Sequence, residues 1–122
     1  MFPLRSYLRT NANVDVFGLE PSIESVNAAK NFYGVDMYKG TLDEYVEESG
    51  EKTKFDCIIL HHVFEHFPDP VRKLSQLKSL LNPDGLLYIE VPNIAEFSKP
   101  IDQFFDYCHL YNYTPHTLSK ML

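Results

Sequence analysis

Side chains able to bind a ligand or to move a proton are concentrated in one short segment of the sequence, where His61, His62, Glu65 and His66 stand close together. They follow the apolar run 57–60, which has the pattern of a strand buried on both faces of a parallel sheet. Open α/β sheets bind their ligands at the carboxyl ends of such strands. We therefore expect these side chains to make ligand contacts.

The segment from His62 to His66 has the spacing H-x-x-E-H. On the helix of a zinc peptidase, two histidines with this spacing bind the metal and the Glu acts as general base. That geometry needs a continuous helix. Here a predicted strand ends directly before the segment, and Pro68 and Pro70 follow it, so barely one helical turn remains. We therefore expect no metal site on this motif.

Glu20 stands at the carboxyl tip of another predicted strand, 14–19. A carboxylate in this position can accept hydrogen bonds from both hydroxyls of a ribose, which explains its use in nucleoside-binding α/β folds. A solvent-exposed Glu beside the following turn has the same sequence pattern. The pattern of this segment alone leaves both interpretations open.

Composition and charge limit the classes of function. A chain of 122 residues is long enough for one hydrophobic core. A net charge of -6 with both signs interspersed argues against a nucleic-acid partner, which requires a basic face. Two cysteines without a C-x-x-C pair predict neither a disulfide framework nor structural zinc, and favour the cytoplasm. No apolar run approaches the roughly 20 residues of a membrane span, and the amino terminus lacks the apolar core of a signal peptide.

The elements that must position these residues follow an alternating pattern of strands and helices. Turn and cap residues separate apolar stripes of helical spacing from short β-rich runs. This alternation predicts an α/β fold in which crossovers feed one parallel sheet. Strands are predicted at 14–19, 35–39, 57–60 and 86–91. Helices are predicted from Ile23, with Ser22 as its cap, to a point before Gly34, and from Pro70 to Leu81. A short helical segment at 3–8, a solvated helix and loop at 43–54, and the start of a helix at 116–122 complete the prediction.

Several segments, in this order, resemble the class I S-adenosylmethionine-dependent methyltransferases, in particular the small-molecule branch of types 11, 12 and 23 that includes sugar C-methyltransferases. The resemblance implies a Rossmann-like sheet, S-adenosylmethionine as cofactor and a small-molecule acceptor. The segments are VFGLEPS at 16–22, GTLDEY at 40–45, FDCIILHHVFEHFPDP at 55–70, LLNPDGLLYIEVPN at 80–93 and DYCHLYNYTPHTLSKML at 106–122.

The same resemblance implies roles for individual residues. His66 and His109 would face the acceptor, and His109 is the preferred general base because an imidazole titrates near neutrality. A turn-stabilising hydrogen bond of His66, or simple burial of His109 among aromatic residues, is the structural alternative. On the cofactor side, Glu20 would hold the ribose with Pro21 and Ser22 shaping its turn, Thr41 and Leu42 would flank the adenine, and Leu60, His61, His62 and Val63 would lie near the sulfonium.

The sequence also departs from the family pattern, because it contains no G-x-G-x-G loop. In the family, that loop follows a central strand of the sheet. We therefore expect an internal fragment: one partial domain over 1–122, with a cofactor-side core at 1–93 and an aromatic, acceptor-side tail at 94–122. Methyl transfer would be impaired, and open strand edges would favour a homodimer. A non-catalytic, self-associating interaction module is the alternative, whereas a nicotinamide-binding fold fits HHVFEHFPDP poorly.

Overall fold

The computed structural model describes residues 14–95 and 109–122, which belong to two compact units, one ending at Lys52 and the other beginning at Thr53. Both units combine helices with a short parallel pair of strands, so the predicted α/β class is confirmed. The predicted helical segment at 3–8, Cys108 and most of the aromatic tail lie outside the described residues. Within the described ranges, no helix is long and apolar enough to cross a membrane.

The first unit contains a parallel strand pair and two helices. Leu19 lies opposite Tyr38 in the strand pair, and Glu20 lies opposite Lys39. The strands are β1 (Leu19–Glu20) and β2 (Tyr38–Lys39), and the helices are α1 (Ile23–Tyr33) and α2 (Leu42–Ser49), the latter followed by a 3-10 turn at Gly50–Lys52. Both strands are shorter than predicted, because the rest of each extended run forms no ladder with a described residue.

Helix α1 begins and ends at the residues that the sequence indicates. Ser22 is the N-cap and its hydroxyl accepts the N–H of Ser25 at 3.3 Å. At the other end Gly34 has a φ of 61°, in the left-handed region, and its N–H donates to the Lys30 carbonyl. This turn leads directly to Val35, which is only 2% exposed and belongs to the core of the unit.

The acidic run at 43–54 is a helix and turn, as predicted, but it is not excluded from the core. Tyr45 is 7% exposed, and its ring centroid lies 5.0 Å from that of Phe17 and 5.2 Å from that of Tyr38. A tyrosine can bury its ring while its hydroxyl stays near polar groups. The expectation that this run lies wholly in solvent is therefore wrong at Tyr45.

The second unit contains the longer strand pair. Ile58 lies opposite Leu87 and His61 opposite Glu90, with an irregularity between Phe55 and Cys57. Strands β3 (Phe55–His61) and β4 (Leu81–Glu90) are parallel, helix α3 (Pro70–Leu80) connects them, a 3-10 turn lies at Phe64–His66, and helix α4 (Pro115–Met121) comes last. Buried in this unit are Leu60, Phe64, Leu77, Leu80 and Tyr113.

The expectation that the run 57–60 is buried on both faces is wrong at its first residue. Cys57 is exposed, whereas Leu60 is 8% exposed. Among the described residues β4 is the only ladder partner of β3, so the strand has less cover than a central strand of a larger sheet. Its buried part is therefore the end that leads into the histidine segment.

Candidate functional site

Glu20 lies at the carboxyl end of β1, where the sequence places it. Its Oε1 accepts the backbone N–H of Ser22 at 2.9 Å, across the turn at Pro21. Its backbone carbonyl accepts the N–H of Gly40 at 3.1 Å, which joins the tips of β1 and β2. The carboxylate is thus oriented through one oxygen, and no described residue donates a hydrogen bond to Oε2.

Thr41 and Leu42 follow directly after Gly40. Thr41 is the N-cap of α2: its hydroxyl accepts the N–H of Glu44 at 3.3 Å, and the Glu44 carboxylate accepts the N–H of Thr41 at 2.6 Å. The backbone N–H of Thr41 and its hydroxyl, the latter at 2.9 Å, both donate to the Glu44 carboxylate, and these two hydrogen bonds lower the pKa of Glu44. Leu42 is 9% exposed and belongs to the core, whereas Thr41 is exposed. A Cβ at Gly40 would lie 2.6 Å from the Tyr38 ring, so this tip approaches its neighbour closely.

The histidine pair ends β3 in an unusual backbone conformation. His61 is the last residue of the strand, and the N–H of His62 donates to the Glu90 carbonyl at 2.9 Å. His62 has a φ of 53°, in the left-handed region that non-glycine residues rarely adopt. Successive side chains of a strand normally point to opposite faces. Here both rings reach one carboxylate: Nε2 of His61 and Nε2 of His62 lie 3.3 and 3.6 Å from Oε1 of Glu90.

Glu65 is buried beside this pair. Its side chain is 1% exposed, and neither carboxylate oxygen accepts a hydrogen bond from a described residue. Among the described residues, the imidazole atoms that lie beside it are Nδ1 of His62, at 3.5 Å from Oε1, and Nε2 of His109, at 3.9 Å. A buried carboxylate is unfavourable without a proton, a charged imidazole or a bound cation nearby. The buried position of Glu65 therefore indicates that a proton, a charged imidazole or a bound cation accompanies its carboxylate.

His109 is brought to this place by backbone contacts. The N–H groups of Leu110 and Tyr111 donate to the Glu65 carbonyl at 3.0 and 3.2 Å. The ring centroids of His109 and His66 lie 5.0 Å apart in an edge-to-face arrangement. The two histidines that the resemblance places near the acceptor are thus neighbours in the structure, and the pair stands beside a buried carboxylate. Histidine and carboxylate side chains are common proton donors and acceptors in enzymes.

Packing around the 3-10 turn completes this group. The ring of Phe64 lies 5.4 Å from that of Tyr113, which is 3% exposed. Burial raises the pKa of Tyr113, with smaller contributions from Tyr111 and Glu65.

The 3-10 turn is too short to be the helix of a zinc peptidase, and His62 precedes it.

Sequence reasoning missed Glu90 and Tyr88. The Tyr88 hydroxyl donates to Oε2 of Glu90 at 2.9 Å, and this hydrogen bond raises the pKa of Tyr88. A signal for Glu90 was present, since it is an acid near the carboxyl end of a predicted parallel strand, as Glu20 is. Of the other predicted cofactor residues, Leu60 is buried and Val63 is half-buried. The convergence of Glu20 and His61 on one ligand stays a prediction.

Comparison with known proteins gives a consistent set of similarities. A family described as "methyltransferase domain" matches residues 4–122. The ubiquinone biosynthesis O-methyltransferase of Actinobacillus pleuropneumoniae serotype 5b is 29% identical over 89 residues, which are 67% of this chain and 38% of that protein. The enzyme of the same name from Parvibaculum lavamentivorans is 39% identical over 69 residues, 57% of this chain and 26% of that protein.

A relative with a different printed activity also matches. The C-methyltransferase NovU of Streptomyces niveus is 32% identical over 99 residues, which are 74% of this chain and 24% of that protein. The chain therefore spans between 24% and 38% of the length of these relatives.

Proposed function

We propose that this chain, which belongs to the class I S-adenosylmethionine-dependent methyltransferases, forms part of a site that binds S-adenosylmethionine and methylates a small-molecule acceptor. The observation that carries the proposal is the arrangement at Glu20. Its carboxylate stands at a strand tip with Oε1 held by the Ser22 N–H and with Gly40 beside it. A fixed carboxylate with an available oxygen fits the hydroxyl edge of a ribose.

Other residues of the first unit fit the rest of the nucleoside. Thr41 and the backbone of Leu42 follow the tip of β2 directly, and the exposed side of that turn would lie against the adenine. The tip of β3, with Leu60, His61, His62 and Val63, is proposed to lie near the sulfonium. Both assignments rest on the family resemblance and on the strand ends at which these residues stand.

The bound cofactor supplies an electrophilic methyl group, so the protein has mainly to align the acceptor and to remove a proton. We assign proton removal to His109, which is partly exposed beside Glu65. Nε2 of His109, which would take the proton, lies 3.9 Å from Oε1 of Glu65. His66, with its ring 5.0 Å from that of His109, would orient the base or contact the acceptor directly.

The acceptor is proposed to be a small molecule that loses a proton on methylation, a class that includes hydroxyl groups and acidic carbon atoms. The matched relatives bear names of both kinds, O-methyltransferase and C-methyltransferase. Sugar, quinone-like and polyketide-like acceptors all belong to this class. A nucleic-acid acceptor is not part of the proposal, because the net charge of the chain is -6. A cytoplasmic location also stays a prediction.

Binding of S-adenosylhomocysteine tests the site, with the ligand observed by saturation-transfer NMR, a method that detects weak complexes. Weak binding is expected because the sequence has no G-x-G-x-G loop. Glu20→Gln should lower the affinity roughly tenfold or more, since it replaces charged hydrogen bonds to the ribose by neutral ones. Asp36→Asn is the matched control, because Asp36 is exposed and makes its ion pair with Lys30.

Two results would contradict the proposal. One is the absence of saturation transfer to the adenosine protons in the parent chain. The other is equal affinity of the parent and of Glu20→Gln while Asp36→Asn also binds normally. Either result would favour the alternative of an interaction module, which no observation on the described residues supports at present.

Self-association is a separate part of the proposal. Within residues 14–95 and 109–122, β1 and β3 each have one ladder partner, so each strand has an edge without one. Edges of this kind pair readily with another chain. We expect a homodimer, and a monomeric mass in light scattering at micromolar concentration would contradict it.

A further inference from the structure

We propose that His61, His62 and Glu90 form a binding site for a divalent transition-metal ion of the zinc type. The three ligands come from the adjacent tips of β3 and β4, and one atom of each lies within 4.8 Å of the others. The inference concerns metal binding and does not depend on the proposed methyl transfer.

Two of the three separations between the ligand atoms match those of a tetrahedral metal site, and the third is within 4.8 Å. Nitrogen and oxygen ligands about 2.0–2.2 Å from a tetrahedral zinc ion stand about 3.3–3.6 Å from one another. Oε1 of Glu90 lies 3.3 Å from Nε2 of His61 and 3.6 Å from Nε2 of His62. Hydrogen bonds of N–H to oxygen are shorter, at about 2.7–3.2 Å. The atoms therefore have the spacing of ligands that share an ion.

The backbone at His62 favours the same interpretation. A φ of 53° is unfavourable for a histidine, and residues held in such conformations concentrate at functional sites. The conformation has a definite effect here, because it directs the imidazole of His62 to the carboxylate that His61 already approaches. In a regular strand the two rings would lie on opposite faces.

A second layer of contacts orients two of the three ligands. Oε1 of the buried Glu65 lies 3.5 Å from Nδ1 of His62, so a proton on Nδ1, which leaves the lone pair on Nε2, faces that carboxylate although no hydrogen bond is formed. The Tyr88 hydroxyl donates to Oε2 of Glu90 at 2.9 Å and leaves Oε1 for the ion. Carboxylate and hydroxyl partners of this kind commonly support histidine and carboxylate ligands of metals. They also give a role to Glu65, which has no hydrogen-bond donor among the described residues.

Ligand chemistry selects the class of ion. Two imidazoles and one carboxylate suit zinc, cobalt or nickel, whereas magnesium and calcium prefer oxygen ligands. The side chains of His61 and His62 are 46% exposed and that of Glu90 is 42% exposed, so an ion can enter from solvent. Three protein ligands leave one tetrahedral position for water or for an oxygen of a bound small molecule.

A neighbouring group, Glu65, His66 and His109, also has its ligand atoms within 4.8 Å of one another. This group fits an ion less well. The Glu65 side chain is only 1% exposed, and Nε2 of His109 lies 3.9 Å from Oε1 of Glu65. No metal was expected on H-x-x-E-H, and the proposed site departs from that expectation at His62, although it uses neither Glu65 nor His66 as a ligand. Glu90, the ligand that it adds, lies far from that motif in the sequence.

Cobalt titration of the full chain, without any methyl donor, tests the inference. Co²⁺ bound in a tetrahedral site gives visible absorption bands, and Zn²⁺ should displace it. His61→Ala and His62→Gly should each lower the affinity at least tenfold. Tyr88→Phe should lower it by about tenfold, the lower end of the effect of removing an outer partner. His116→Ala, which removes an exposed histidine of α4, should bind as the parent does.

His62→Gly also separates loss of a ligand from loss of the fold. Glycine adopts positive φ freely, so this variant should melt in EDTA at the same temperature as the parent or higher. The proposal is overturned if the parent shows no tetrahedral Co²⁺ spectrum, or if His61→Ala and His62→Gly bind as tightly as the parent. It is also overturned if His109→Ala weakens binding as strongly as His61→Ala, because the ion would then lie in the neighbouring group. None of these results would alter the test at Glu20.

Discussion

The two units of this chain hold their candidate residues in different ways. In the first unit, Glu20 and Thr41 are oriented mainly by partners two or three residues away, through a turn and a capping box. In the second unit, His62 and Glu65 acquire their neighbours from distant parts of the sequence, namely Glu90 and His109. Local contacts can be inferred from sequence spacing, whereas the distant ones require the fold. The second site, meaning the group of His62, Glu65, Glu90 and His109 in the second unit, therefore depends on the packing of that whole unit.

The largest expected effect is the loss of that packing in Phe64→Ala. Phe64 is 0% exposed, and its ring lies 5.9 Å from that of Phe67 and 5.4 Å from that of Tyr113. Removing a buried phenylalanine ring costs about 3–5 kcal/mol, a large part of the stability of a small domain. We expect a correspondingly lower urea midpoint, and faster hydrogen exchange in β3 and α3 by mass spectrometry.

Phe32→Ala is the matched control, because the same ring is 81% exposed on α1. It should change the free energy of unfolding by less than about 0.5 kcal/mol. Equal effects of the two substitutions would show that the packing around Phe64 does not support the second site as described.

A smaller loss of stability is expected from glycine-to-alanine substitutions, and its cause differs between the two units. A Cβ at Gly85 would lie 3.0 Å from the Asn82 carbonyl oxygen and 3.1 Å from that of Phe55, so Gly85→Ala requires the backbone to shift. We expect a loss of roughly 1–3 kcal/mol from this overpacking. Gly34→Ala meets no atom within 4 Å and is unfavourable only because of its φ of 61°, at about 1 kcal/mol.

Asparagine distinguishes the two causes, because it tolerates the left-handed conformation better than alanine does. Gly34→Asn should recover part of the stability lost in Gly34→Ala, as measured by thermal unfolding. Gly85→Asn should be no more stable than Gly85→Ala. If asparagine restored stability at Gly85 instead, the proposed close contact with the Phe55 carbonyl would be wrong.

These contrasts explain which features the sequence predicts. The cap at Ser22 and the end of the helix at Gly34 have local signals, and the structure has a helix where those signals place it. The capping box at Thr41 also lies within one turn of sequence, but it was not predicted. Burial was harder to predict: Tyr45 is in the core despite its acidic neighbours, and Cys57 is exposed despite its apolar ones. Burial depends on what covers an element, which local pattern does not specify.

The second site was predicted only in part for the same reason. The histidine segment stood out by residue type, but its shared partner Glu90 was not identified, because strand register determines that pairing. The left-handed conformation of His62 had only a weak signal, since histidine adopts it more often than most non-glycine residues but still rarely. Residue type thus identified candidates, and only the fold identified which atoms meet.

The smallest expected effect tests whether the first unit also contains a contact that matters for its stability. A hydrogen bond to the Glu48 carboxylate raises the pKa of Tyr38 from 10.0 to about 12, helped by desolvation and by the charges of Glu48 and Glu44. Because the folded phenol keeps its proton more strongly than the unfolded one, this bond stabilises the fold fully below pH 10.0. The contribution is lost as the pH rises through about 12.

Phenolate absorbance measures this difference. Subtracting the titration curve of Tyr38→Phe from that of the parent isolates one of the eight tyrosines, and Glu48→Gln should return its pKa toward 10.0. Asp36→Asn, which removes an exposed acid elsewhere in the unit, should leave the curve unchanged. If the isolated component titrated at the ordinary value in the parent, Tyr38 would not be bonded to Glu48, and the contacts of α2 with β2 would be weaker than the buried ring of Tyr45 indicates.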